Sequence, residues 1–186
     1  EKPLQYYISA GYENTDARIV LYSPNLLFTK IKLEIYRLQG RYTYKDVALL
    51  SAFYNYYNLS DGNQGNDLLL RFGRKFVEDS MFGYEFFYSD FGFSSTQYYS
   101  PQEFSSHSLW GEWQWIADKN LKGKIGGKIG YVPAVDYVIS EFFAEATYNP
   151  LLSLVITGRV GYGNSFRYDS GYRSLSASVS AYWGIF

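Results

Sequence analysis

His107 stands among Ser105, Ser106 and Ser108, and a histidine base beside a hydroxyl is the least equipment that nucleophilic acyl transfer needs. In an extended segment successive side chains point to opposite faces, so of these serines Ser105 alone shares a face with His107. The second grouping able to act chemically is a series of charges. Lys124 and Lys128 are followed by Glu141 and Glu145 at matching spacing, so on neighbouring strands the lysines can face the glutamates and neutralise them in a confined, poorly screened space. Gly123, Gly126, Gly127 and Gly130 suggest a phosphate loop, but no Gly-Lys-Ser/Thr follows them. Inside a strand, glycine leaves room for a bulky neighbour, and Trp110, Trp113 and Trp115 are at hand. Nucleotide binding is therefore not expected.

The elements that must position these residues are strands. From Leu151 to Tyr162, Leu152, Leu154, Ile156, Val160 and Tyr162 alternate with Ser153, Thr157, Arg159 and Gly161, giving one apolar and one polar face. The pattern recurs over Tyr44–Leu59, Asp67–Val77, Ser80–Phe91, Phe104–Ile116, Leu121–Val132, Tyr137–Tyr148 and Tyr172–Phe186. Leu26–Leu38 and a short Ala17–Tyr22, closed by Ser23-Pro24-Asn25, bring the expectation to about ten strands, most of them long enough to cross a bilayer at a tilt. Leu4–Tyr12 also alternates, with Asn14-Thr15-Asp16 reading as a turn after it. An even count is expected of a barrel, so about twelve strands is the alternative.

Connections are tight at Asn149-Pro150, Ala117–Asn120 and Glu78-Asp79, and mostly longer at Asn164–Gly171, Pro133–Asp136, Gly92–Glu103 and Ser60–Asn66. That asymmetry fits an antiparallel transmembrane β-barrel of the bacterial outer membrane, with short periplasmic turns and longer external loops. Composition agrees. Aromatic residues make up 21% of the chain, with 21 tyrosines, while mean hydropathy is only -0.24. A barrel hides its apolar surface by alternation, and its aromatic rings sit at the two membrane interfaces.

On the polar faces the alternation places Lys30, Lys32, Glu34, Arg71, Lys75, Glu85, Glu112, Gln114, Lys124, Lys128, Glu141, Glu145 and Arg159, which are expected to line the lumen. Two readings of this mixed-sign set stand side by side. Its pairs plug a barrel whose eight to ten or so strands enclose little more than their own side chains, or they form a polar track for a hydrophilic, sugar-like solute.

The net charge of -1 suggests neither a nucleic-acid partner nor a polybasic anchor, and the absence of cysteine excludes disulfides and thiolate metal sites. No cofactor or metal is expected. The expected partners are outer-membrane lipid, the barrel-insertion machinery, and other envelope proteins or a polysaccharide. No repeat or linker divides the sequence, so residues 1–186 read as a single barrel domain. Glu1 opens no leader, which fits a processed chain or a part of a longer one.

Tyr98-Tyr99-Ser100-Pro101-Gln102, leading into Phe104 and a strand ending in Trp113-Gln114-Trp115, resembles a segment in the C-terminal barrel of the cellulose synthase operon protein C family. The strands through Tyr172–Phe186 are also similar to the last strands of that family. The resemblance rests on one five-residue motif and a general pattern over roughly the last half of the chain. It implies a porin for exopolysaccharide export, whose periplasmic tetratricopeptide repeats bind the synthase machinery and whose barrel passes the polymer. The family's barrels have about sixteen strands, more than this sequence supplies at about 10 residues per strand plus turns.

The expected function is thus a non-catalytic outer-membrane barrel that anchors or transports, with exopolysaccharide export as the specific form. One alternative is an outer-membrane lipid hydrolase using His107. The other is a soluble β-barrel that inverts the faces and binds an apolar ligand. No enzymatic activity is expected.

Overall fold

Alternation with a period of two fits a pleated strand and no helix, and this chain folds accordingly. The computed structural model describes residues 5–21, 25–26, 29–45, 47–151, 153–167 and 170–184. The strands are β1 (Gln5–Asp16), β2 (Lys32–Tyr44), β3 (Ala48–Leu59), β4 (Gln64–Lys75), β5 (Ser80–Phe91), β6 (Phe104–Ile116), β7 (Leu121–Val132), β8 (Tyr137–Leu151), β9 (Leu154–Arg167) and β10 (Ser170–Trp183). They form one antiparallel ten-stranded sheet in sequence order, each strand hydrogen-bonded to the next. Among the described residues β1 and β10 have one partner each.

β5, β6 and β7 lie where the alternation puts them, and the count is about ten as expected, but its membership differs. Of the alternative segment Leu4–Tyr12, whose first residue lies outside the described ones, Gln5–Tyr12 does form strand, in β1, and Asn14-Thr15-Asp16 is no turn: it stays in the ladder opposite Glu34, Leu33 and Lys32. Ala17–Tyr22 is not a strand. Residues Ala17–Leu21 make a short helix, α1, started by Asp16, whose carboxylate accepts the Arg18 backbone N–H at 3.0 Å and grips the Arg18 guanidinium through two bonds of 2.8 Å. Tyr22, the last residue of that expected strand, and Ser23 and Pro24 of the expected closing turn lie outside the described residues.

The expected strand Leu26–Leu38 begins only at Lys32 and runs on to Tyr44. The expected strand Tyr44–Leu59 then starts after a turn, where Lys45 takes a positive φ of 47° and the Val47 N–H bonds the Tyr44 carbonyl at 2.8 Å. At the other end, β8 continues past Asn149-Pro150 through a bulge and pairs Leu151 with Leu154. The long connection expected at Asn164–Gly171 is largely strand, with Ser170 opposite Arg167.

The chain divides into two compact units. The first holds Glu1–Gly73, Tyr84–His107 and Val132–Asp136; the second holds Arg74–Gly83, Ser108–Tyr131 and Tyr137–Phe186. In the first unit β2 and β3 set Leu33 opposite Leu59 and Ile35 opposite Tyr57. These four join Ala17, Leu26, Ile31, Phe91 and Tyr98 in a buried cluster, against which Val20 and Leu21 of α1 pack. Full burial of such a side chain is worth roughly 1.5 to 3 kcal/mol. The Phe91 ring stacks on Tyr57 at 5.7 Å and lies across Gly65, where a Cβ would strike it. The opposite face of β1 and β2 exposes Tyr6, Ile8, Tyr12, Tyr36, Leu38 and Tyr42.

In the second unit, rings again lie over glycines: Trp115 over Gly123, Phe143 over Gly126, Phe142 over Gly127 and Phe82 over Gly111. The tryptophan expected above the glycines of β7 is therefore there at Gly123, with phenylalanines covering Gly126 and Gly127. β9 and β10 pair so that Arg159 meets Ser178, Gly161 meets Ser176 and Gly163 meets Ser174, while Val160 meets Ala177 and Ile156 meets Ala181. One face of this ladder is polar and the other apolar.

Candidate functional site

The polar face of the second unit gathers the charges of four consecutive strands. Lys124 on β7 pairs with Glu112 on β6 at 2.8 Å, Lys128 on β7 with Glu141 on β8 at 3.4 Å, and Arg159 on β9 with Glu145 on β8 at 3.7 Å. The expectation that both lysines meet Glu141 and Glu145 is corrected in part. Only Lys128 meets Glu141, because the ladder sets Glu145 directly opposite Arg159 and Lys124 turns back to β6. Phe143, between Glu141 and Glu145, carries the Lys124 ammonium 5.5 Å and the Arg159 guanidinium 4.4 Å from its ring centre, close enough for cation–π attraction. The alternation already put Phe143 in register with those glutamates, yet a search by charge passes over it.

These pairs are wet. The Glu141 and Arg159 side chains are 56% and 52% exposed, so the two pairs they make contribute little stability, about 0 to 1 kcal/mol each, and that part of the face stays accessible, whereas Lys124 and Glu112 are more covered. Beyond Arg159, β10 adds Ser174, Ser176, Ser178 and Ser180, the first two lying across from Gly163 and Gly161. The result is a polar surface with hydroxyls, paired charges and one aromatic ring. The opposite face of the same strands exposes Leu109, Trp113, Ile125, Ile129, Phe142, Val160, Leu175 and Val179.

The other expected site residues separate into groups. On β6, Gln114 has the parity of Glu112. In the first unit Arg71 lies 3.7 Å from Glu85, and Lys75 shares the parity of Arg71 along β4. Lys30 precedes β2. Lys32 and Glu34 are corrected: they have the parity of Tyr36 and Leu38, opposite Leu33 and Ile35, and so lie on the apolar face rather than with the polar set. Glu34 is accommodated there at the strand end, where it accepts bonds from the Tyr12 hydroxyl at 3.2 Å and Asn58 Nδ2 at 2.9 Å. The alternation misleads here because the opposite face is filled by the apolar cluster.

His107 lies on the face shared with Leu109. Its Nδ1 is 2.5 Å from the Tyr84 hydroxyl and its ring 5.2 Å from that of Phe86, whereas Ser106 and Ser108 are buried on the other side. A tyrosine partner and a phenylalanine neighbour hold the imidazole without making a nucleophile.

The segment Tyr98-Tyr99-Ser100-Pro101-Gln102 is a folded strap. Tyr98 is fully buried; its hydroxyl donates to Asp61 at 2.8 Å and accepts from Asn63 at 2.9 Å. Burial pushes the Tyr98 phenol up to about 12. Ser100 accepts the Ser95 N–H at 2.6 Å, and the Pro101 carbonyl accepts the Phe91 N–H at 2.9 Å. Tyr99 is half-buried and Gln102 exposed.

Against solved structures, the chain matches a bacterial polysaccharide outer membrane secretin with a TM-score of 0.77 and 12% identity, over 97% of this chain and 65% of that one. The fold is that of an outer-membrane β-barrel sheet. The outer membrane channel DcaP of Acinetobacter baumannii matches with a TM-score of 0.51 and 11% identity, over 97% of this chain and 58% of that one. The CymD monoaromatic hydrocarbon channel matches with a TM-score of 0.53 and 10% identity, over 100% and 70%. At these identities the likeness is one of fold, and the chain spans about two thirds of the first neighbour's length. No family profile matches the sequence, and no curated protein does. The neighbours are channels rather than enzymes.

Proposed function

We propose that this chain forms part of the wall of a non-catalytic channel of the bacterial outer membrane, with the polar face of the second unit turned to the solute and the apolar face to lipid. The observation that carries this reading is the run of solvent-accessible ion pairs across β6 to β9, backed strand by strand by exposed apolar side chains. Exposed apolar surface of this extent marks a face that lipid or another protein covers, strands of this length suit a bilayer, and accessible charge on the reverse face suits a hydrated solute. The inverted soluble barrel would need the apolar side chains turned inward, and they are the exposed ones.

The specific form we favour is export of a polysaccharide. Its support is the resemblance of Tyr98-Tyr99-Ser100-Pro101-Gln102 to the cellulose-export family, the polysaccharide role of the secretin neighbour, and a face that combines hydroxyls with an aromatic ring. The two readings of the charge set also part here: two pairs with a half-exposed member, Glu141 and Arg159, line a passage more naturally than they plug one.

Planar-bilayer recording tests the proposal. The wild type is expected to give a steady open conductance, and the double change Glu141→Gln with Glu145→Gln to shift selectivity toward anions, since Lys128 and Arg159 lose their partners. A silent wild type would overturn the transport reading and leave an anchor.

A further inference from the structure

A cavity of about 580 Å³ opens on the first unit, lined by Tyr7, Gln39, Arg41, Ser51, Phe53 and Arg71 among others. It lies at the end of the sheet that carries the short turns, since β1 and β4 respectively begin and end there and Arg41 lies three residues before the close of β2. The ladder fixes what surrounds Arg41. Tyr7 of β1 is directly opposite on one side and Ser51 of β3 on the other. The next row toward the middle of the sheet is Ser9, Gln39 and Phe53, and the row beyond Arg41 is Gln5, Thr43 and Leu49. Every one of these neighbours is uncharged.

Several other cations of the polar faces are placed differently. Arg37, on the same face of β2, is held by Glu13 through a bond of 2.5 Å, and Lys124, Lys128 and Arg159 each have a glutamate. Arg71, the second guanidinium of the cavity, lies 3.7 Å from Glu85, and its five N–H donors can serve a further acceptor besides that carboxylate. Gln39 Nε2 donates to the Tyr7 hydroxyl at 2.8 Å and the Ser9 side chain hydrogen-bonds the same oxygen; with both as donors, the phenolic proton of Tyr7 is directed to a further acceptor.

We propose that this cavity binds the oxyanion group, carboxylate or phosphate, of a hydrophilic solute, with Arg41 and Arg71 as the charged partners and Tyr7 and Ser51 as hydroxyl donors. A guanidinium offers a planar fork that matches either oxyanion, and Arg41, surrounded by hydroxyls and amides with no carboxylate in its row, has no ion-pair partner among the described residues. The inference stands apart from the channel reading, because it concerns the other unit and requires binding only.

Calorimetric titration of the full chain, folded in detergent micelles, tests it with three probes: glucuronate, glucose 6-phosphate and glucose. At least one anionic sugar is expected to bind about tenfold or more tightly than glucose, with an affinity that falls as salt rises. Binding of glucuronate alone identifies a carboxylate site, and of glucose 6-phosphate alone a phosphate site. Arg41→Gln and Arg71→Gln should each weaken that binding about tenfold or more, while Arg37→Gln, whose parent guanidinium is already paired, should change it little. If Arg41→Gln fails to fold, Arg41→Lys carries the test: it keeps the charge but loses the fork, and weaker binding is expected. Equal affinity for glucose, no binding of either anionic sugar, or unchanged binding in a folded Arg41 variant overturns the inference. A protein that conducts but binds neither anion leaves the channel reading intact.

Discussion

The two units handle the same problem, a sheet with one face away from the apolar one, in opposite ways. In the first, that face is sealed near α1 by Leu33, Ile35, Tyr57, Leu59 and Phe91, with Leu26, Ile31 and Tyr98 brought in by the connections on either side. In the second, Glu141, Arg159 and the serines Ser176, Ser178 and Ser180 stay exposed on the corresponding face, although Ser108 and Trp110 of β6 are buried there, and no described residue of this unit joins the cluster. Alternation alone does not decide which outcome occurs. The difference comes from a few apolar residues on the otherwise polar parity and from connections long enough to fold back over them.

The sharpest way to break this comparison is to remove one member of the seal. Leu33→Ala is expected to cost about 2 to 5 kcal/mol, since the site is fully buried, whereas Ser176→Ala on the exposed face should fall within about 0.5 kcal/mol of wild type. Denaturant titration in lipid vesicles compares the two directly, and equal costs would dissolve the distinction. Ile156→Arg addresses the apolar face of the second unit: it should cost roughly 2 to 4 kcal/mol and Thr157→Arg much less. A reversed order in the same titration would show the faces to be wrongly assigned.

Tyr98→Phe should cost about 1 to 3 kcal/mol, because Asp61 and Asn63 lose the hydroxyl between them. The wild type should also lose stability in alkali. The Tyr98 phenol is raised from 10 to about 12, so its contribution is fully present below pH 10 and declines as pH rises toward 12, when the unfolded chain ionises first. The Phe variant should lack that loss, as a pH series of melting curves would reveal. A small stability effect is expected from Glu141→Gln with Glu145→Gln, about 0 to 1 kcal/mol per pair, even though the same change should be the one that alters ion selectivity.

Much of the sheet was legible in the sequence. Ser80–Phe91, Phe104–Ile116 and Leu121–Val132 have the same limits in both because their turns are marked by charged or polar residues and their faces do not change character along the strand. The first third was less so. Tyr44, Lys45 and Val47 belong to a turn that no glycine or proline announces, and Ala17–Leu21 alternates too briefly to reveal that Asp16 starts a helix. For the site, Glu112, Lys124, Lys128, Glu141, Glu145 and Arg159 could be grouped by parity, but which partner each takes depends on stagger between strands, which parity does not record. Lys32 and Glu34 failed for a different reason: charge was used to choose the face, and at that end of β2 the tertiary burial of Leu33 and Ile35 outweighs it.

The rings seated on glycines have a bearing on how such a sheet is put together. A strand that slides by two residues against its neighbour keeps every apolar side chain on the apolar face, so hydrophobicity is blind to that mistake. The Phe142 ring is not blind to it, because a slip of this size would bring Ile125 or Ile129 to the place of Gly127. Together with Trp115 on Gly123, it acts as a tooth in a notch, marking the correct stagger of β6, β7 and β8 while the strands zip together.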